Sequence, residues 1–124
     1  MSKTIALREL IKAQLDRTDG KTYHKKAPDD AVSPYKTFSL KSVVFTDARD
    51  DLELCVDVWG VGCGPKVVEE LADQIEKLFD NVNLPRDTIL PTFFREGRTP
   101  VEDPDKTIEH IQLRFLVQLY EMEE

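Results

Sequence analysis

Residues 35–59, YKTFSLKSVVFTDARDDLELCVDVW, decide the fold, because two alternating runs flank one polar turn. In the second run Leu52, Leu54, Val56 and Val58 alternate with Glu53, Cys55, Asp57 and Trp59, the period-two pattern of a strand with one buried face. In the first run Phe38 and Leu40 share a face, and the phase slips near Val43-Val44, where a twist or bulge must intervene. Thr46-Asp47-Ala48-Arg49-Asp50-Asp51 supplies the turn. The expectation is a half-buried antiparallel hairpin, longer than most.

Upstream, Leu7, Leu10, Ile11 and Leu15 recur at the three-and-four spacing of a helix face, with Ser2 or Thr4 as its N-cap, which predicts a helix from about Thr4 to Asp16. Asp19-Gly20 ends it, and Thr22-Tyr23-His24 reads as a short strand before Pro28. Downstream, Gly60-Val61-Gly62-Cys63-Gly64 breaks the hairpin and Pro65 stands where a first helical residue belongs. Val68, Leu71, Ala72, Ile75, Leu78 and Phe79 then predict an amphipathic helix over about 65–80, with Glu69, Glu70, Asp73 and Glu76 outward. Ile89 to Phe94 is a shorter strand that Pro91 confines to an edge or a bulge, and Arg95 to Asp105 reads as a charged loop. Ile111, Leu113, Phe115, Val117 and Leu119 give the strongest strand signal in the chain. This order predicts one α+β domain over residues 1–124: a mostly antiparallel sheet of four to five strands with both helices on one face. Trp59, Leu116 and Tyr120 lie off the apolar phase, so the opposite face keeps large side chains that suit contact with another subunit.

With 124 residues the chain is long enough to bury roughly two-thirds of its unfolded surface without staples. Seventeen basic and 24 acidic residues give a net charge of -7, which disfavours non-specific attraction to nucleic acid or an anionic membrane. Residues 1–26 run against that total, with seven basic and three acidic groups, while the chain ends on Glu121-Met122-Glu123-Glu124. Opposite-signed regions of one chain suit head-to-tail packing of identical subunits. Cys55 and Cys63 form no Cys-x-x-Cys pair and no disulfide framework, which fits reduced thiols in a cytosolic setting. No apolar run is long enough to span a bilayer.

Catalytic and cofactor motifs do not assemble. The glycine run fails as a P-loop because Val67 follows Lys66, and as a dinucleotide fingerprint because Pro65 stands at the third glycine. His24 and His110 have no neighbours at metal-ligand spacing. Asp47, Asp50 and Asp51 cluster without the alternate ligands, central glycine and distal glutamate of a calcium loop. The reading is of a non-enzyme with no catalytic residue, metal or cofactor.

Tyr23-His24-Lys25-Lys26-Ala27-Pro28, followed by Ser33-Pro34-Tyr35, resembles a recurring segment of the tail-terminator and tail-completion proteins of long-tailed bacteriophages. Val56-Asp57-Val58-Trp59-Gly60 and the helix from Pro65 through Ala72-Asp73-Gln74-Ile75 are similar to the same plan, and the likeness in element order covers nearly the whole chain. The resemblance implies a virion structural protein at the head-proximal end of a phage or prophage tail, assembled in the host bacterial cytoplasm. It further implies a ring, commonly of six subunits, that stops the major tail tube protein from growing and joins a head-completion or connector protein. Neither sequence-specific nucleic acid nor membrane is an implied partner. A ring closes only if two different patches on each subunit match. The candidate interface residues are Asp47, Arg49, Asp50 and Asp51 at the hairpin tip, with Trp59 and Tyr120 on the opposite sheet face. Two alternatives stand beside this one: a head-tail connector subunit, and a small cytoplasmic ligand-binding or regulatory domain with a pocket between sheet and helices.

Overall fold

The computed structural model describes residues 3–46, 49–86 and 88–121. The elements run α1 (Lys3–Leu15), β1 (Lys21–His24), β2 (Tyr35–Phe45), β3 (Asp50–Val61), α2 (Pro65–Leu78), β4 (Val82–Asn83), β5 (Ile89–Pro100) and β6 (Ile108–Glu121). The architecture is α+β, with six strands among the described residues, ordered β1-β2-β3-β6-β5-β4. Four to five mostly antiparallel strands were expected. The sixth is the two-residue β4, too short for any periodicity, and the sheet is mixed because β1 runs parallel to β2.

Alternation along β3 and β6 divides the sheet. Leu54, Val56, Val58, Leu113, Phe115 and Val117 are buried on one face, and both helices close over them in one continuous core with Leu7, Ile11, Leu71 and Ile75. Burial of side chains this large is the main favourable term of the fold. Gly60 lies on the same face, and a Cβ there would come within 2.4 Å of Cys63 Sγ and 2.7 Å of Val68 Cγ1. Its missing side chain is what lets the first turn of α2 approach the sheet. At the other end of α1, Gly20 turns the chain at φ +76°, a conformation that favours glycine.

Two bulges shape the strands. Val43 is the extra residue of β2 between the pairs Ser42↔Leu52 and Val44↔Asp51, which accounts for the slipped phase in the sequence. Glu96 is the extra residue of β5 between Arg95↔Phe115 and Gly97↔Arg114. The expected loop from Arg95 is therefore strand as far as Pro100. The bulge lets Arg95 and Arg98, an odd number of residues apart, both face α2. There Glu76, expected to point outward, is buried between them: Arg98 Nη1 lies 2.5 Å from Glu76 Oε1 and 2.6 Å from Asp73 Oδ1, and Arg95 pairs with the other Glu76 oxygen. Pro91 does not mark an outermost strand, since β4 lies beyond β5. Its carbonyl accepts from the Leu84 N–H at 3.0 Å, so its nitrogen faces the outer side and no β5–β6 bond is lost.

α1 begins at Lys3, which puts Thr4 inside the helix rather than at its cap, and Ser2 lies outside the described residues. Among the described residues no helix is long and apolar enough to cross a membrane.

Candidate functional site

β2 outruns β1, the strand that covers its outer edge. Beyond Phe38, whose carbonyl accepts from the Lys25 N–H at 2.8 Å, no strand pairs with the outer edge of β2 among the described residues. That bond fixes the orientation of the edge: the main chain of Leu40 and Ser42, at even spacing from Phe38, also faces outward. Val43, Val44 and Phe45 are 57%, 48% and 69% exposed, three consecutive large apolar residues beside an unpaired edge.

The charges near this tip are committed within the subunit. Adjacent residues of a strand point to opposite faces, so Asp50 and Asp51 diverge. Asp50 is only 5% exposed and its carboxylate meets Lys3 of α1 at 2.5 Å. Asp51 lies on the other face and holds Arg49 through Nε at 2.8 Å and Nη2 at 3.2 Å. Arg49 Nη1 also reaches the Tyr120 hydroxyl at 3.5 Å, which joins two candidate interface residues that are 71 positions apart. Asp47 lies outside the described residues. What the tip offers a partner is apolar surface and backbone, a signal available in the sequence as Val43-Val44-Phe45 next to the turn.

Trp59 belongs to a second cluster, on the sheet face without helices. β3 pairs Trp59 with Tyr35 on one side and His110 on the other. The indole stacks on the His110 ring at a centroid distance of 3.6 Å and on Tyr35 at 6.4 Å, with its N–H donating to Thr37 Oγ1 at 3.4 Å. Asp57 Oδ1 lies 2.7 Å from His110 Nε2. Neighbouring side chains thus cover much of Trp59 within the subunit. Cys55, two residues before Asp57, is free, and burial, with Asp57 and Glu53 adding to it, pushes its thiol up to about 11. At neutral pH it is a thiol, not a nucleophilic thiolate. His24 packs against Phe38, where burial, with Arg8 and Lys25 adding to it, lowers its pKa.

A groove of about 330 Å³ lies between the start of α2 and the β5–β6 connection, without a motif that marks it. Pro65, Val68, Pro100, Val101 and Ile108 provide its apolar lining, and Val101 remains 37% exposed. Glu69, Glu102 and Glu109 stand around it without an ion pair among the described residues, while Arg98 is held by Asp73 and Glu76. Its walls come from segments at least 29 residues apart, which no local pattern could reveal.

Comparison with protein-family models and with curated proteins finds no match for this chain.

Proposed function

We propose that this chain is a structural virion-assembly subunit that forms a ring, terminates a phage tail tube and presents the surface for head-tail joining. The observation that carries the reading is the hairpin tip, where Val43, Val44 and Phe45 lie exposed beside an unpaired strand edge. Surface of this kind on an otherwise polar protein suits a partner of complementary shape. The resemblance in element order supplies the kind of partner: further copies of the chain, the major tail tube protein, and a head-completion or connector protein. A ring of six is the family's common size. The role is mechanical, with no catalytic step or cofactor, and its place is the head-proximal end of the tail in a particle assembled in the bacterial cytoplasm. The acidic balance of the chain suits a ring whose lumen repels DNA phosphates, and tight DNA binding by the assembled ring would sink that part of the reading.

The test is electron microscopy of the protein mixed with tubes of its cognate major tail protein. Rings seated on tube ends, with tube growth arrested, are expected. Rings on the portal complex instead would favour the connector. The groove at the start of α2 favours the ligand-binding alternative, since its volume falls at the low end of small-molecule sites. That reading requires a metabolite that raises the melting temperature of the protein, with the effect lost in Val101→Asp.

A further inference from the structure

Charged side chains set into the buried layer of this molecule have partners. Lys36 donates to backbone carbonyls, Asp50 meets Lys3, and Glu76 is held by Arg95 and Arg98. Glu109 departs from that pattern. It is in phase with the buried Ile111 and Leu113 and pairs with Gly60 of β3, so it lies on the helix-facing side of the sheet. There it is half-buried, and its carboxylate has no ion pair or hydrogen bond among the described residues. It lines the groove of about 330 Å³ between α2 and the β5–β6 connection.

Charge and shape define what the groove can hold. Glu69, Glu102 and Asp103 join Glu109 around it, against Lys106; Arg98 is neutralised by Asp73 and Glu76, and the His110 ring is bound to Asp57 on the other face of the sheet. The walls are fixed before anything enters. Arg98 Nη2 donates to the Glu69 carbonyl at 3.4 Å and ties α2 to β5. The connection is tied at both ends, by the Val101 N–H to the His110 carbonyl at 2.9 Å and by the Gly62 N–H to the Thr107 carbonyl at 2.8 Å. A preformed site binds without first ordering its own chain. We infer that this groove binds a small organic cation, a protonated amine on an apolar body, with the ammonium at Glu109 and the body against Val68, Val101 and Ile108. The volume fits a single small molecule. An anion would meet a wall of carboxylates, and a neutral apolar molecule would cover Glu109 and leave it unpaired. The inference goes beyond the assembly reading and does not depend on it.

Amide chemical shifts of the intact protein, followed during titration with benzylammonium, benzyl alcohol and benzoate, test it, since the probes share one ring and differ in charge. Benzylammonium is expected to give saturable shifts confined to the groove, at the amides of Val68, Val101, Glu102 and Glu109. Benzyl alcohol is expected to bind about fivefold more weakly, the ratio that about 1 kcal/mol of charge–charge attraction gives, and benzoate more weakly still. Added salt should narrow the gap. Glu109→Gln removes charge from within the groove and Glu102→Gln from its exposed rim, each variant verified as folded by its melting temperature. The double variant should bind benzylammonium and benzyl alcohol with nearly equal affinity.

Equal binding of benzylammonium and benzyl alcohol by the wild-type protein overturns the inference. So do shifts that lie outside the groove or never saturate, and a preference for the amine that survives in the double variant. Should Glu109→Gln fail to fold, salt supplies the same test on the wild-type protein: a preference that does not fall with ionic strength is not electrostatic, and the inference is lost. Tube capping, present or absent, bears only on the assembly reading.

Discussion

The two halves of β2 live in different environments. From Tyr35 to Phe38 the strand is closed in by β1 on its edge, and Lys36 and Phe38 are fully or almost fully buried. From Ser42 to Phe45 the same strand has no neighbour on its outer edge among the described residues and exposes three apolar side chains. The bulge at Val43 separates the halves. One half specifies the fold and the other is left for something outside the subunit, so the same kind of residue has opposite consequences along a single strand.

The sharpest way to break that comparison is to empty the closed half. Leu54, paired with Leu40 of β2 and Phe115 of β6, is completely buried. Leu54→Ala is expected to cost about 2–5 kcal/mol, through lost transfer energy and the cavity left behind, measured by urea unfolding. A cost below about 1 kcal/mol would mean that the covered half of the hairpin is loosely packed. Gly60→Ala tests the same half from the opposite direction. The new Cβ meets Cys63 Sγ and Val68 Cγ1 inside contact distance, and since Val68 belongs to α2 the helix has to move; about 1–3 kcal/mol of destabilisation is expected.

Lys36 sharpens the comparison through pH. Its ammonium is buried and donates to the carbonyls of Thr18, Asp19 and Gly20 at 3.4, 2.9 and 2.7 Å, which ties the turn after α1 to the sheet. Burial lowers its pKa to about 8, opposed by the Asp16 and Asp19 carboxylates. Because this folded-state value lies below the ordinary 10.5, the unfolded chain binds more protons between those two pH values. The contribution of this group to stability therefore rises with pH across that window. Between pH 7.5 and 9.5 the wild-type protein should gain about 1–2 kcal/mol relative to Lys36→Met, read from unfolding curves at the two pH values. Equal pH slopes for the two proteins would mean that the ammonium is hydrated and the closed half is open to water.

Much of this contrast was legible in the chain itself. Period-two alternation located β2, β3 and β6, and the glycine run before Pro65 located the start of α2, because each signal is local and strong. The slipped phase at Val43 was a bulge for the same reason. Lys36 left a trace as well, a charged residue in phase with Phe38 and Leu40, but only the turn after α1 explains why a lysine is buried there. Glu76 and the Arg95–Pro100 segment were misjudged together. Charged residues suggest helix surface and loop when read singly, and their burial depends on a β5 bulge that aims two arginines at one carboxylate. The groove, built from separate segments, had no local signal at all.

The smallest expected effect tests the open half. Val44→Asp changes a side chain that is half exposed, on a strand edge without a partner among the described residues, beyond the reach of the core. Surface substitutions of this kind usually lie within about 0.5 kcal/mol of neutral. The isolated protein should therefore unfold at the same denaturant concentration and with the same slope as the wild type. A loss of 2 kcal/mol, about the cost of a core truncation, would show that the tip packs within its own subunit. The division at Val43 would then vanish, and with it the reason to regard the end of the hairpin as a surface kept for a partner.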